Sequence, residues 1–205
     1  MRLEQLSLSP VMAAPAVTDE SSRSDRLGRA HVTLAAGCAF LMRTVEGRTA
    51  SPAAVYARLQ GNRLRELDRF LSILLDETAQ AVNGSRHDVS GYARLRNTPN
   101  KLRLVAGMQR RAGSATVSME IRLRAIGRIS ACLNHCSGVV HAPGLHRDVL
   151  LAGGRAGEAL AVSRTIGPVS DKLRLSPETL HAIALFYREI GDRLWVQAHE
   201  SSAQS

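Results

Sequence analysis

Cysteine and histidine side chains are concentrated in one short stretch of the chain, where they could bind a metal ion. Cys132, Cys136, His141 and His146 are separated by three, four and four intervening residues. Together they offer two sulfur and two nitrogen ligands, which is a set that tetrahedral zinc accepts. We therefore expect no cofactor, with zinc at these four residues as the alternative.

The spacing of these four residues is similar to that of a zinc knuckle, a small module that binds single-stranded nucleic acid. The resemblance implies that zinc would hold the four side chains and that nucleic acid would be the partner. The two cysteines also continue a helical apolar pattern through Ile129 and Leu133, in which they would be small buried hydrophobic residues. Both interpretations stay open.

Positive charge is concentrated in the middle of the chain. The formal net charge is +9, and 27 residues are basic, of which only Lys101 and Lys172 are lysine. The segment from Arg86 to Arg128 contains ten basic residues and two acidic ones. If these side chains share a face, it would attract phosphates or an acidic protein, although a solvated surface is the alternative. The residues of this predicted basic face are Arg94, Arg96, Lys101, Arg103, Arg110, Arg111, Arg122, Arg124 and Arg128.

An arginine and a histidine near the end of the chain form a third candidate. Arg193 and His199 are separated by five residues in a helical pattern, which resembles the Arg…His pair of small helical ribonucleases of the HEPN type. The resemblance implies that imidazole would transfer protons while arginine holds the phosphate. No HExxH motif, phosphate-binding GxxxxGK loop or local Ser/His/Asp arrangement occurs in the chain. We therefore expect no enzymatic activity and keep a ribonuclease as an alternative.

The elements that must position these residues are helices. Only 3% of the 205 residues are aromatic, and small and aliphatic side chains suit close-packed helices. Apolar spacing predicts an all-α, irregular bundle of about six helices. Helical spacing occurs in eight candidate segments, at 25–45, 51–61, 64–82, 98–111, 118–136, 143–152, 157–166 and 176–199. Residues 117–123 also alternate as a strand would, but a single strand lacks a good partner, so we favour a helix.

The predicted domain organisation is simple. Residues 1–24 are expected to form a flexible, disordered N-terminal tail, 25–199 a single helical domain, and 200–205 a second flexible tail. Three cysteines do not form a disulfide framework, and the longest apolar stretch, 31–42, is too short to span a bilayer. We expect no classical signal peptide and a cytoplasmic location, while export of a secreted effector through residues 1–24 stays an alternative.

These patterns together predict a non-enzymatic binding protein, an accessory or assembly component of a larger bacterial complex. Its basic central face would dock an acidic protein partner. The alternatives are a nucleic-acid-binding protein with zinc at the Cys/His cluster, a small helical ribonuclease and a secreted effector. The terminal helix, 177–199, could also form a homo- or hetero-oligomer through its apolar stripe. Burial of Leu180, Tyr187 and Leu194 within the monomer would contradict that last interpretation.

Overall fold

Helices account for the architecture of the chain. The computed structural model describes residues 17–45, 53–83, 95–108, 113–140, 144–162 and 172–202. Within these ranges the only β contact is an isolated antiparallel bridge between Val139 and Lys172. The predicted all-α bundle is confirmed, with seven helices in the described ranges where about six were expected. They are α1 Val17–Val45, α2 Ala53–Asn83, α3 Thr98–Met108, α4 Ser114–His135, α5 Gly144–Ala152, α6 Ala156–Val162 and α7 Pro177–Ser202.

Helix α2 lies at the centre of the bundle. It packs against α1, α3, α4 and α7, while α5 packs on the outer side of α4. The reason is in its sequence, because leucines recur every three or four residues and form an apolar stripe. Each of these side chains is at most 2% exposed: Leu64, Leu67, Leu71, Leu74 and Leu75.

Helix α2 is continuous, which corrects the prediction that one helix ends at Gly61 and another begins at Leu64. Gly61 is buried inside α2, at the point where α4 crosses it. A Cβ atom there would lie 2.9 Å from the Leu133 Cβ and 2.6 Å from the Asn134 Oδ1. The Ser130 hydroxyl donates a hydrogen bond to the Gly61 carbonyl at 3.0 Å. The glycine therefore permits a close helix crossing and does not terminate a helix.

The ends of the helical domain also differ from the prediction. Helix α1 begins at Val17, within the predicted tail, so only residues 1–16 of that tail lie outside the described residues. Helix α7 continues to Ser202, beyond the predicted end of the domain at residue 199.

At the start of α3, Asn97 is the cap, because the Asn100 amide donates to its Oδ1 at 2.9 Å.

The structure answers two questions that the sequence left open, the conformation of residues 117–123 and the role of α7. Residues 117–123 lie within α4, where Leu123 is 2% exposed. In α7, Leu180, Tyr187 and Leu194 are at most 3% exposed in the monomer. The interpretation of α7 as an intermolecular stripe is therefore wrong, because its apolar face is already covered by other helices of the same chain.

No helix in the described part of the chain combines the length and the apolar content required to cross a membrane.

Candidate functional site

A groove of about 760 Å³ lies between α4 and α5. Its α4 wall includes Ile121, Ala131 and Cys132, and its α5 wall includes Leu145 and Leu151. Two residues in left-handed conformations, Ser137 at φ 50° and Gly138 at φ 82°, form the turn that follows α4. The lining is mostly apolar, so the groove can bury nonpolar surface of a partner.

One ion pair joins the two walls of the groove. Arg128 on α4 donates from Nε and from one terminal nitrogen to the two Asp148 oxygens on α5, at 2.7 and 2.6 Å. The Asp148 side chain is 7% exposed and the Arg128 side chain 56% exposed. The bidentate hydrogen bond raises the pKa of Arg128. The pair therefore fixes α5 against α4 and neutralises the only acid among the described lining residues.

The exposed arginine and histidine side chains that line the groove are basic groups, and the one lining carboxylate is buried. Arg147 on α5 and His135 at the end of α4 line the groove and are exposed. Ile121 is 45% exposed at the opposite end of the same wall. Val117, one turn earlier on α4, is 55% exposed and extends the apolar strip beyond the groove. The site thus combines an apolar floor with a positive rim.

Two residues of the predicted basic face form contacts inside the fold. The Lys101 ammonium donates to the Ser72 hydroxyl at 2.8 Å and lies 2.7 Å from an Asp76 oxygen. The Arg122 guanidinium donates to the carbonyls of Ala152 and Ala182. Burial lowers the pKa of Arg122. Lys101 therefore braces α3 against α2, and Arg122 braces α4 against α5 and α7.

The structure brings two other arginines of that face together. Arg103 on α3 and Arg124 on α4 lie 3.9 and 3.2 Å from the same Glu120 oxygen, and both donate to the Asn100 side chain. Their side chains are about half exposed. Arg96 is exposed near the start of α3. Three further residues of the predicted face lie outside the described residues: Arg94, Arg110 and Arg111.

The predicted zinc ligands fall on separate parts of the site. Cys132 and Cys136 line the groove, while His146 is exposed on α5 and His141 lies outside the described residues. Among the residues that the structure describes, no three His, Cys, Asp or Glu side chains converge as a metal ion would require. Because one of the four ligands is not described, the zinc site stays a prediction.

The residues of the ribonuclease hypothesis point to different neighbours. Arg193 pairs with Glu189 one turn earlier on α7. The His199 ring lies 3.9 Å from the Trp195 ring, and its Nδ1 is 2.9 Å from the Trp195 carbonyl. Positions six apart on an α-helix lie on different faces, since each residue advances the helix by 100°. The structure does not bring the two side chains together.

A buried polar cluster between α2, α3 and α7 was not predicted from the sequence. The Thr98 hydroxyl donates to one Asp68 oxygen at 2.8 Å, and the fully buried Tyr187 hydroxyl donates to the other at 3.4 Å. Burial raises the pKa of Asp68, and the two hydroxyl donors oppose that rise. The cluster joins three helices and satisfies polar groups that would otherwise be costly to bury.

The α5 residues of the groove were also missed. A sequence signal for them exists, because Leu145, Asp148 and Ala152 recur at helical spacing and form the buried face of α5. An aspartate on an apolar face requires a donor, but its partner Arg128 is 20 residues away in sequence. Only the packing of α5 on α4 identifies that partner.

Comparisons of the chain with protein-family models, with curated proteins and with solved structures find no match.

Proposed function

We propose that the chain is a non-enzymatic binding protein that docks an acidic, amphipathic helix of a partner protein in the groove between α4 and α5. The observation that supports this proposal is the combination of an open apolar groove with a basic rim. Such a protein would act as an accessory or assembly component of a larger complex.

The shape of the groove favours a helix over a small molecule. Along α4 the lining extends from Ile121 to Cys136, which is about 22 Å at the α-helical rise of 1.5 Å per residue. A small-molecule pocket encloses most of its ligand, whereas this groove is more open than enclosed. A helix can place apolar side chains at three- and four-residue spacing into such a groove and leave its polar face in water.

The charges favour an acidic partner over a basic one. Two N–H groups of Arg128 donate to Asp148, and the remaining N–H groups of its half-exposed guanidinium can donate to a second carboxylate. Arg147 adds an exposed positive charge on the opposite wall. Carboxylates on both edges of a bound helix would meet these side chains, which favours the correct partner and accelerates its association.

The test uses a synthetic helical peptide with leucine at three- and four-residue spacing and glutamate elsewhere, labelled for fluorescence anisotropy. We expect micromolar binding that weakens with salt. Ile121→Glu and Ala131→Glu place a carboxylate in the exposed lining and should each weaken binding by about tenfold to a hundredfold, the equivalent of about 1.5 to 3 kcal/mol for one buried apolar side chain. The matched control is Val32→Glu, at a 66% exposed position on α1, which should bind as the wild type does.

Three outcomes would count against the proposal. Equal affinity for a peptide in which lysine replaces glutamate would remove the argument from charge. Equal weakening by Val32→Glu would show that the peptide binds elsewhere or that any added acid interferes. Displacement of the peptide by single-stranded RNA at physiological salt would favour nucleic acid as the partner of the basic rim.

A further inference from the structure

Two of the three cysteines lie together at the end of α4, and the third lies apart. Cys132 and Cys136 are partly exposed and line the groove. Cys38, on α1, is fully buried, and burial raises the pKa of its thiol to about 11. The chain therefore contains one accessible pair of thiols and an internal reference thiol that is neither exposed nor ionised at neutral pH.

The spacing of the pair is close to what a disulfide requires. Residues four apart on an α-helix have Cα atoms about 6.2 Å apart, from the helical rise and radius, and disulfides span about 4.4 to 6.8 Å. Their Cβ atoms are about 5 to 6 Å apart, against about 3.5 to 4.5 Å in a disulfide. Closure thus requires a local movement of between one and two ångströms.

The end of α4 can supply this movement. Cys136 caps the helix at φ −105° and ψ 7°, and Ser137 and Gly138 follow in left-handed conformations. The last turn is held by two hydrogen bonds to the Cys132 carbonyl, from the Cys136 amide at 2.9 Å and the Gly138 amide at 3.2 Å. Because the chain leaves the helix here, a shift of Cys136 need not disturb the turns before Cys132.

We propose that Cys132 and Cys136 form a reversible intramolecular disulfide when the protein meets a hydroperoxide. The Cys136 thiolate attacks the outer peroxide oxygen, the O–O bond breaks, and a sulfenic acid and an alcohol or water result. The Cys132 sulfur then attacks the sulfenic sulfur. The S–S bond forms, the S–O bond breaks, and hydroxide leaves as water with the Cys132 proton. Two electrons pass from the thiols to the peroxide.

The order of the two steps follows from the surroundings of Cys132. The Cys132 Sγ donates to the Val139 carbonyl at 3.3 Å. This contact directs the Cys132 sulfur toward Val139, so Cys136 reacts first with the peroxide and Cys132 resolves the sulfenic acid.

The disulfide would change the floor of the groove. It removes the hydrogen bond from Cys132 to Val139, and Val139 pairs with Lys172 just before α7. We expect the oxidised protein to bind the acidic peptide at least several-fold more weakly; this consequence depends on the proposed function, whereas formation of the disulfide does not.

The full chain, fully reduced, is treated with hydrogen peroxide, denatured in an alkylating agent, digested with trypsin and analysed by mass spectrometry. Cleavage after Arg128 and Arg147 gives one peptide, 129–147, that contains both thiols, and cleavage after Arg29 and Arg43 gives the Cys38 peptide. We expect peptide 129–147 to carry no alkyl group and to be two hydrogens lighter than the reduced peptide, while Cys38 is alkylated. Treatment with dithiothreitol before alkylation should restore both thiols. The Cys38→Ser variant should give the same disulfide.

Single variants test the order of reaction. In Cys132→Ser the sulfenic acid at Cys136 should accumulate and be trapped by dimedone, and in Cys136→Ser trapping should be several-fold lower. Peptide 129–147 that stays doubly alkylated, or that gains oxygen without a crosslink, would overturn the proposal, as would disulfides between chains. A disulfide that forms in a protein unable to bind the acidic peptide would refute the proposed function alone.

Discussion

The crossing of α2 and α4 at Gly61 provides a quantitative test of the packing that positions the groove. An alanine at this position would place its Cβ 2.9 Å from the Leu133 Cβ, an atom that no side-chain rotation can move, and 2.6 Å from the Asn134 Oδ1, which can rotate away. Overpacking of this kind costs about 1 to 3 kcal/mol, while alanine gains up to about 1 kcal/mol over glycine in a helix. We therefore expect Gly61→Ala to lower the free energy of unfolding by about 1 to 2 kcal/mol.

Gly127 supplies the matched control on α4. It is exposed, and a Cβ there would meet nothing within 4 Å. Gly127→Ala should therefore stabilise the protein by about 0.5 to 1 kcal/mol through helix propensity alone. Denaturation by guanidinium chloride, followed by circular dichroism, measures both variants. A Gly61→Ala protein as stable as Gly127→Ala would refute the close crossing of α2 and α4.

Two further predictions concern buried carboxylates. Arg128→Ala leaves the Asp148 carboxylate, which is 7% exposed, without its two donors, so we expect the free energy of unfolding to fall by about 1 to 3 kcal/mol. Asp148→Asn keeps an acceptor oxygen, and the released Arg128 side chain can turn toward water. We therefore expect a smaller loss of stability in Asp148→Asn than in Arg128→Ala. Equal losses in denaturant titrations would contradict the asymmetry. Burial raises the pKa of Asp68 above its usual value of 3.8, so the folded state favours the protonated carboxyl. The resulting contribution to the free energy of unfolding is fully present below pH 3.8 and is lost as the pH rises through the raised pKa. The stability of Asp68→Asn relative to wild type should therefore increase between about pH 3 and pH 7; a decrease over this range would show that the fold favours the ionised carboxylate.

The sequence predicted the helices that have a regular apolar pattern and a clear start. The sequence at the start of α7 predicts Ser176 as the cap and Leu175 and Leu180 as a hydrophobic staple. In the structure Ser176 accepts a hydrogen bond from the Thr179 amide, and Leu175 and Leu180 are both buried. The apolar pattern of α2 is equally clear, but a glycine such as Gly61 can either end a helix or permit two helices to cross closely. Local propensity cannot distinguish these two uses, because the second depends on Leu133 and Asn134 of a distant helix.

The site was harder to predict because charge in a sequence does not reveal its partners. Lys101 and Arg122 belong to the predicted basic face, yet they bind Asp76 and backbone carbonyls inside the fold. Arg128 was included for the same reason and does line the groove, where Asp148 holds it. Which arginine stays exposed is decided by the acids and carbonyls that packing brings within reach, and these are far away in sequence.

The docking groove is tested most directly by locating a bound peptide. The acidic amphipathic peptide would carry a nitroxide at one end, and nuclear magnetic resonance would measure the broadening of backbone amide signals in the labelled protein. We predict broadening along α4 from Ile121 to His135 and along α5 from Leu145 to Leu151, reversed by reduction of the nitroxide. Broadening confined to α1, or none at peptide concentrations that saturate binding, would contradict the account.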